Sequence, residues 1–392
     1  MKLLFISHDD TRTGAPILLL NLHNAIKKNH PTVEIHFLIK NYTGQIFDSF
    51  KSVATTYSLF NNEVPSIIKK IFRKVFKINL LSKVDQKLQE IDIKSFDLIL
   101  SNTITNGDIL PIIRKYFSGP IISYIHELEI ASKLFTTNAE IQGVLSCTNF
   151  FLTPSNAVKT FIEEAFNIQN NQIDWLPYYI HLASKEMKHH LKESSVRPDK
   201  TTMVVGGCGT IDWRKGIDVF LQIAYYVKQT MPEKDIVFKW KGATEGIDLE
   251  KLQYDLEKSG LIASVEIMLA GGEMDKYFEE LDVFLLTSRE DPFPLVVLES
   301  ADFCVPTICF DGAGGAQEFV STDKGTIVPY FSIKDASEAI ANYFANSDLR
   351  KKHGQNAKKQ VKEIYNNHQL ISSLFINIVE NVIDHKSEKY IK

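Results

Sequence analysis

The stretch FLLTSREDPFPLVVLESADFCVPTICFDGAGGAQEFV, residues Phe284–Val320, decides the fold that we expect for this chain. It overlaps a short apolar run, Val283–Thr287, whose β-branched and aromatic residues predict a strand. Pro292 and Pro294 delay the helix that the apolar spacing after them predicts. A second strand is predicted at Pro306–Phe310, just before a glycine-rich loop. Ligands of open α/β sheets bind outside the carboxyl ends of strands, so this stretch predicts half of a site for a phosphorylated ligand.

Two carboxylates, Asp291 and Glu299, lie eight positions apart on either side of this predicted strand-to-helix turn. They are the first candidates for groups that contact a ligand. Their spacing fits a plain structural interpretation equally well, in which Asp291 is an ordinary acid near a helix N-terminus and Glu299 is a solvated helix residue. The spacing alone leaves both interpretations open.

The composition sets the class of protein. A chain of 392 residues with 44% hydrophobic and 23% charged residues is typical of a soluble protein with two domains. Its net charge of -4 gives no indication of nucleic acid as a partner. The 4 cysteines have no zinc spacing and predict buried thiols in a reducing compartment. No apolar run has the roughly 18–20 residues of a membrane helix, so we expect a cytoplasmic protein.

Apolar runs alternate with helical segments along both halves of the chain, a pattern that predicts α/β domains with doubly wound parallel sheets. We expect one domain at residues 1–180, a polar and lysine-rich linker at 181–200, and a second domain at 201–371. Strands are predicted at residues 3–7, 34–39, 53–59, 98–102, 121–126, 150–153, 202–205, 237–240, 265–269, 283–287, 306–310 and 326–329.

Two more loops after predicted strands suit an anion. Near the N-terminus, Gly14 and Pro16 open a helix whose first N–H groups are free to bind phosphate. After the strand at 202–205, small residues such as Gly209 allow a ligand to approach the backbone, and Arg214 and Lys215 supply cations. The alternative is that these are two solvated basic residues in front of a helix.

The segment SIIKKIFRKVFKINLL, Ser66–Leu81, predicts a helix with one apolar and one basic face. Such a helix can lie on an anionic membrane, which would suit an enzyme with a lipid-linked acceptor. The alternative is a surface helix that packs its apolar face on the sheet. The sequence leaves both open.

The run SREDPFPLVVLES resembles the signature segment of retaining glycosyltransferases of the GT-B fold, in particular glycosyltransferase family 4. That family carries two acids in Glu-x7-Glu spacing, with Phe-Pro after the first. The matching residues here are Asp291, Phe293, Pro294 and Glu299, with Asp in place of the first Glu. Glu290, the neighbouring acid, is the alternative for the first position.

Other segments are similar to the same family. The run TIDWRKGIDVF resembles its Arg-x4-Lys-Gly segment, in which Lys215 matches, Thr210 stands where the family has Arg, and Arg214 is the candidate replacement. The segment ISYIHELE resembles the strand end whose histidine, here His126, faces the donor sugar. The resemblance therefore implies two Rossmann-like domains facing a cleft, with the final helix, about 372–392, packing back on the first domain.

The resemblance also implies roles for individual residues. The catalytic set would be Lys215, Arg214, Asp291 and His126, with Asp291 on sugar hydroxyls and the cations on the diphosphate. The implied donor-binding residues are Gly14, Gly209, Glu290, Phe293, Pro294, Leu295, Glu299, Gly314, Gly315, Glu318 and Gly272. No metal ligand and no cofactor is expected, and the nucleotide-diphosphate sugar is a substrate.

The expected function is transfer of a sugar, with retention, from a nucleotide-diphosphate sugar to a glycan or lipid-linked acceptor, in bacterial surface polysaccharide synthesis. Two alternatives stay open. One is an inactive scaffold of the same fold that binds the nucleotide sugar, and the other is a sugar-nucleotide 2-epimerase, which would need no acceptor.

Overall fold

The structure is a computed structural model that describes residues 1–61, 77–182 and 202–389. The chain divides into two compact units, one formed by Met1–Ile180 with Asn367–Lys392 and the other by His181–Asn366. Almost all of the predicted linker, 181–200, lies outside the described residues. Most of the predicted basic helix, Ser66–Leu81, lies outside them as well, so its two interpretations stay open.

The first unit contains a parallel sheet of 7 strands. They are β1 (Lys2–Asp9), β2 (Glu34–Tyr42), β3 (Thr56–Asn61), β4 (Leu98–Asn102), β5 (Ile121–Tyr124), β6 (Phe150–Thr153) and β7 (Ile173–Trp175). Their spatial order is β3-β2-β1-β4-β5-β6-β7, and each neighbouring pair is parallel. This order reverses direction at β1, which is the mark of a doubly wound sheet.

Helices connect these parallel strands, as a parallel sheet requires. They are α1 (Gly14–Asn29), α2 (Phe47–Val53), α3 (Lys77–Glu90), α4 (Leu110–Ile113), α5 (Glu129–Phe135), α6 (Asn138–Cys147) and α7 (Asn156–Phe166).

The second unit repeats the architecture with a parallel sheet of 6 strands. They are β8 (Met203–Cys208), β9 (Ile236–Ala243), β10 (Val265–Leu269), β11 (Val283–Leu286), β12 (Thr307–Phe310) and β13 (Gly325–Val328). The spatial order β10-β9-β8-β11-β12-β13 again changes direction at the first strand of the unit. The crevice at β8 is where such a sheet binds a ligand.

The helices of the second unit begin with α8, which follows β8. They are α8 (Ile217–Thr230), α9 (Ile247–Ser259), α10 (Met274–Glu280), α11 (Leu295–Asp302), α12 (Ala316–Val320), α13 (Ile333–Ala345) and α14 (Ser347–Gln360), which continues into a π-helical turn at Val361–Tyr365.

The last helix, α15 (His368–Lys389), belongs to the first unit although it follows the second in sequence. The side-chain amide of Asn29, at the end of α1, donates to the carbonyl oxygen of His368 at 3.0 Å and to Ser372 Oγ at 2.9 Å. The ring of Phe375 packs edge-on against Phe5 in β1, with the centroids 5.8 Å apart. Within the described residues, no helix is long and apolar enough to cross a membrane.

Apolar burial explains why each sheet forms. The centre of β1, Leu3–Ile6, is fully buried, as expected for a strand covered by helices on both faces. In the second unit, the fully buried aromatic rings of Phe220, Phe238 and Trp240 pack edge-to-face between α8 and β9. These cores hold the loops at the carboxyl ends of the strands.

The predicted strands are recovered, with bounds that differ by up to three residues. Val53 ends α2 instead of beginning a strand, and the Ala54 N–H still donates to the Phe50 carbonyl oxygen of that helix, so β3 starts only at Thr56. The short strand β7 was not predicted. It has three residues at the sheet edge, which is too short for a periodic pattern to be visible in the sequence.

Candidate donor site

The first part of the site is the cation loop, residues 209–216, which follows the carboxyl end of β8 and leads into α8. Its last residue, Gly216, has φ +70°, and a Cβ there would lie 2.1 Å from the carbonyl oxygen of Thr287. The Thr287 hydroxyl donates to the carbonyl oxygen of Lys215 at 3.2 Å. Only glycine allows this approach, so the cation loop is held tightly against the chain that leaves β11.

The second part is the acid loop, residues 287–294, which follows β11 and is joined to the glycine-rich loop after β12. Asp291 pairs with Gly314 in an isolated parallel bridge. The Asp291 N–H donates to the carbonyl oxygen of Ala313 at 2.8 Å, and the Gly315 N–H donates to that of Asp291 at 3.1 Å. Gly314 has φ +125°, and a Cβ there would lie 1.9 Å from the Asp291 carbonyl oxygen, so the close contact needs glycine.

These two loops bring the predicted cations and the first acid together. Lys215 Nζ lies 2.6 Å from Asp291 Oδ2, and Arg214 Nη1 lies 3.6 Å from the same oxygen. Arg214 Nη1 also donates to the carbonyl oxygen of Glu290 at 3.2 Å. Asp291 is therefore the carboxylate that faces the cations, whereas Glu290 contributes its backbone to this contact.

The charge balance of this cluster favours an anion. Two cations share one carboxylate, and the Asp291 side chain is only 7% exposed, against 18% for Lys215 and 23% for Arg214. The excess positive charge lies on the more exposed groups, at the carboxyl end of the sheet. Low local polarity strengthens the attraction of such a cluster for a phosphate group.

Glu299 lies in α11, in a different environment from Asp291. Burial, followed by the nearby Asp275 carboxylate, raises the pKa of Glu299 to about 7. Glu299 is also close enough to the Cys208 thiol to raise its pKa, although burial is the main reason that the pKa of Cys208 is about 12. The carboxyl of Glu299 thus faces the end of β8, where the predicted donor site lies.

Arg289 supports the acid loop, a role that the sequence did not suggest. Its guanidinium makes two bonds to the Asp218 carboxylate, at 2.9 and 2.6 Å, and lies over the rings of Trp213 and Phe331 at 5.2 and 5.1 Å. The side chain is 9% exposed. Arg289 thus ties the acid loop to the cation loop by contacts that are separate from the ion pairs of Asp291. Its position in the signature segment gave no indication of this supporting role.

Several predicted donor-binding residues are part of the packing around these loops. Phe293 is 5% exposed and stacks on Tyr365 with the ring centroids 5.4 Å apart, and Pro294 is the N-cap of α11, which begins at Leu295. Glu318 lies in α12 near the same tyrosine, whose pKa is raised first by burial and then by that carboxylate. Their direct contact with a ligand stays a prediction.

Lys241 is a further cation at this edge that sequence reasoning missed. It lies in β9 and is 6% exposed, and a Cβ added at the predicted donor-binding Gly272 would be 3.8 Å from its Nζ. The available signal was a lysine within an apolar strand, IVFKWKGA. Lysines in strands are usually solvated, so the sequence alone did not indicate a buried cation here.

In the first unit, His126 follows β5 and both of its ring nitrogens are engaged. The Nδ2 amide group of Asn102 donates to the carbonyl oxygen of Ala15 at 2.9 Å, so its Oδ1 accepts from His126 Nε2 at 2.7 Å. His126 Nδ1 then accepts from the Tyr178 hydroxyl at 2.9 Å. Burial, followed by His8, lowers the pKa of His126 to about 3, so the ring is neutral at pH 7. A contact between His126 and a sugar would have to replace one of these bonds.

The same chain of bonds reaches the predicted anion loop of the first unit. Gly14 is the first residue of α1, and the Thr13 side chain before it caps none of the first N–H groups of the helix. Beside His126, the carboxyl of Glu127 is buried and accepts from the N–H groups of Ile104 and His126 at 3.2 and 3.0 Å. Burial raises the pKa of Glu127 to about 7.

No group of three or more His, Cys, Asp or Glu side chains within residues 1–61, 77–182 and 202–389 is arranged to hold a metal ion. Asp291 pairs with Lys215 and Arg214, and Asp218 pairs with Arg289.

Comparison with known proteins gives a family match in the second unit. Residues 190–360 match the family model described as glycosyl transferases group 1. The amylovoran biosynthesis glycosyltransferase AmsD of Erwinia amylovora is 28% identical over 113 residues, which is 29% of this chain and 32% of AmsD. The alpha-galactosylglucosyldiacylglycerol synthase of Streptococcus pneumoniae is 25% identical over 223 residues, 54% of this chain and 56% of the synthase. The chain thus spans about a third to just over half of the length of these relatives.

Structural similarity covers both units. The crystal structure of Anabaena HepE in complex with UDP and glucose matches with a TM-score of 0.74 and 15% identity, covering 97% of this chain and 99% of HepE. At this identity the likeness shows the fold. Together with the two parallel sheets, it shows that the chain has the two-domain GT-B fold.

Proposed function

We propose that this protein is a retaining glycosyltransferase that moves a sugar from a nucleotide-diphosphate sugar to a glycan or a lipid-linked acceptor. The observation that carries the proposal is the ion cluster of Lys215, Arg214 and Asp291 at the carboxyl ends of β8 and β11. Its place in the sheet is where doubly wound folds bind nucleotides. The family match over residues 190–360 includes this cluster.

The cations account for the departure of the nucleoside diphosphate. As the anomeric bond breaks, negative charge grows on the diphosphate, and the ammonium of Lys215 and the guanidinium of Arg214 are preorganised to stabilise it. Arg214 is held by the Glu290 carbonyl oxygen, so it can replace the arginine that is missing at Thr210. These two charges take the role that a divalent metal plays elsewhere, and we propose a metal-independent reaction.

The carboxylates fit the hydroxyl groups of the donor. Asp291, next to the cations, is suited to accept hydrogen bonds from hydroxyls of the transferred sugar. Glu299, further along α11, is suited to the ribose hydroxyls. The glycines at 314 and 315 keep the backbone free of side chains where the sugar approaches. Retention follows if the acceptor attacks from the same face as the departing diphosphate, a route in which the leaving group's own oxygen accepts the acceptor proton.

The acceptor is proposed from the relatives. AmsD is named for amylovoran biosynthesis and the streptococcal synthase for alpha-galactosylglucosyldiacylglycerol. A bacterial surface polysaccharide or a glycolipid is therefore the class of acceptor that we propose for this chain. The basic segment Ser66–Leu81 is the proposed contact with a membrane that carries such an acceptor.

Donor binding is the first part of the test. Thermal unfolding is followed with UDP, GDP, ADP and their glucose or mannose conjugates, in EDTA and in Mg²⁺. A ligand at about 100 times its dissociation constant adds roughly 2.7 kcal/mol to the free energy of unfolding. We expect one nucleotide series to raise the unfolding temperature in EDTA, and Lys215→Ala to lose the effect.

Transfer is the second part. The donor that binds is incubated with bacterial glycolipid and oligosaccharide acceptors, and the anomeric configuration of the product is read by NMR. We expect a product with the configuration of the donor. A protein that binds the nucleotide sugar but never consumes it would be a scaffold, and conversion of the donor without an acceptor would identify an epimerase. Either result contradicts the proposal.

A further inference from the structure

The ammonium group of Lys241 is buried without an adequate partner. The residue is 6% exposed, and across the described parts of the chain its Nζ has a single hydrogen bond, a long one of 3.5 Å to the carbonyl oxygen of Leu269. A buried ammonium has three donors and strongly favours charged or oxygen partners. The group is therefore left to be satisfied by something that binds.

Lys239, a neighbouring lysine on the same strand, has its ammonium group paired with carboxylates. Lys239 lies two residues earlier in β9 and makes ion pairs with Glu266 at 2.9 Å and with Glu280 at 2.7 Å. The two side chains lie on the same face of the strand because side chains alternate along it. A lysine on this face can therefore form ion pairs, whereas Lys241 forms none with the described residues.

Lys241 also belongs to the edge of the sheet that forms the proposed donor site. Lys241 is the register partner of Cys208, the last residue of β8, and its carbonyl oxygen accepts from the Gly209 N–H at 2.9 Å. A Cβ added at Gly209 would lie 2.8 Å from Lys215 Cγ, so both lysines adjoin the end of β8. Gly272, whose added Cβ would lie 3.8 Å from Lys241 Nζ, has φ +72° and is exposed. The exposed Gly272 thus lies beside the buried ammonium.

The order of the strands indicates which part of a donor would reach it. In the second sheet, β11 and β12 lie on one side of β8, and β9 and β10 lie on the other. A nucleotide sugar has its sugar and its nucleoside on opposite sides of the diphosphate. With the diphosphate at Lys215 and the sugar at Asp291, which follows β11, the nucleoside extends toward β9 and β10. This step rests on the proposed function.

We propose that Lys241 selects the base of the donor nucleotide by donating a hydrogen bond to a keto oxygen. An ammonium has no acceptor, so it is matched by O4 of uracil or O6 of guanine and opposed by the amino groups that cytosine and adenine carry at those positions. Leaving a buried donor unpaired discriminates strongly against the wrong ligand. The donor is therefore a UDP-sugar or a GDP-sugar.

The pair UDP and CDP tests this most directly, because the two bases have the same ring and differ in the keto or amino group at position 4 and in the proton that uracil carries on the adjacent N3. Their affinities are measured by calorimetry for the wild type, Lys241→Met and the control Lys239→Met. We expect the wild type to bind UDP on the order of 10- to 100-fold more tightly than CDP, the effect of one charged hydrogen bond. If guanine is the preferred base, GDP and ADP replace that pair.

Lys241→Met should abolish the preference, whereas Lys239→Met should keep it. Equal affinity of the wild type for keto and amino nucleotides would overturn the inference, even if Lys241→Met failed to fold. So would a variant that loses UDP and CDP affinity by the same factor, since the ammonium would then serve the phosphates or the ribose. If no nucleoside diphosphate binds the wild type, the proposed function fails as a whole, which is distinct from nucleotide binding without base preference.

Discussion

Lys215 Nζ and Asp291 Oδ2 lie 2.6 Å apart, although the two residues follow different strands and are separated by 76 positions in the chain. Each is placed by a glycine contact, Gly216 against Thr287 and Gly314 against Asp291. The cation and the carboxylate that the proposed reaction uses therefore neutralise each other in the ligand-free protein. A diphosphate must compete with Asp291 for the lysine.

Lys215→Ala should lower turnover by roughly 10²–10³, the effect of removing one preorganised charge from the site where negative charge grows. The measurement is sugar transfer under saturating donor. The matched control is Lys251→Ala, because Lys251 is an exposed lysine that pairs with Asp248 of its own helix. Transfer at the wild-type rate by Lys215→Ala would exclude this lysine from the mechanism.

Asp291→Asn should have opposite effects on nucleotide binding and on transfer. Without the carboxylate, Lys215 and Arg214 are released for the diphosphate, so we expect the nucleoside diphosphate alone to bind about 3- to 10-fold more tightly. Transfer should fall, because the group proposed to hold the sugar hydroxyls is lost. Calorimetry and turnover measure the two effects. Weaker binding of the diphosphate would show that Asp291 does not compete for the cations.

The affinity for the nucleotide sugar should depend on pH through Glu299. Its pKa of about 7 means that the carboxyl is protonated below that pH and ionised above it. The ionised form accepts hydrogen bonds from ribose hydroxyls more strongly, so affinity should rise from pH 6 to pH 8. Glu299→Gln should flatten the profile. A nucleotide sugar serves as the probe because its diphosphate does not titrate in this range, and an unchanged slope in the variant would assign the titration to another group.

Gly314→Ala should destabilise the second unit more than Gly246→Ala does. Both glycines have positive φ values, +125° and +136°, so both variants should lose about 1–3 kcal/mol through backbone strain. Only at position 314 would the new Cβ also meet the Asp291 carbonyl oxygen, at 1.9 Å, whereas nothing lies within 4 Å of the Cβ at 246. Urea unfolding of the two variants measures the difference. Equal losses would mean that the Asp291–Gly314 bridge adjusts freely.

The free energy of unfolding should change with pH through Glu127. Its folded pKa of about 7 exceeds the ordinary value of 4.5, so its stabilising contribution is complete below pH 4.5 and is lost as the pH rises through about 7. The loss amounts to roughly 3 kcal/mol. Glu127→Gln, which keeps the shape and carries no charge, should remove that loss, so its stability relative to the wild type should be greater at pH 8 than at pH 5. Urea unfolding at the two pH values makes the comparison, and a difference that does not vary with pH would contradict it.

The fold could be predicted from the sequence to a large extent, because the strands are buried on both faces and appear as short apolar runs. The strand at Leu98–Asn102 and the one at Val265–Leu269 have the predicted bounds. The edge strand Ile173–Trp175 could not be predicted, since three residues carry no period. Candidate site residues could be named from the sequence where they are concentrated in one segment, as in the glycine-rich loop and the acids around Pro294.

The sequence by itself determined the alternation of strands and helices, the glycines that follow the strands, and the types of charge available at Arg214, Lys215 and Asp291. The tertiary structure decided which of those charges meet. A parallel sheet whose order reverses at β8 brings the end of β11 beside β8 on one side and the end of β9 on the other. Lys241, an unremarkable lysine in an apolar strand, thereby becomes a buried cation at the same edge, because spatial neighbours in a doubly wound sheet are far apart in the chain.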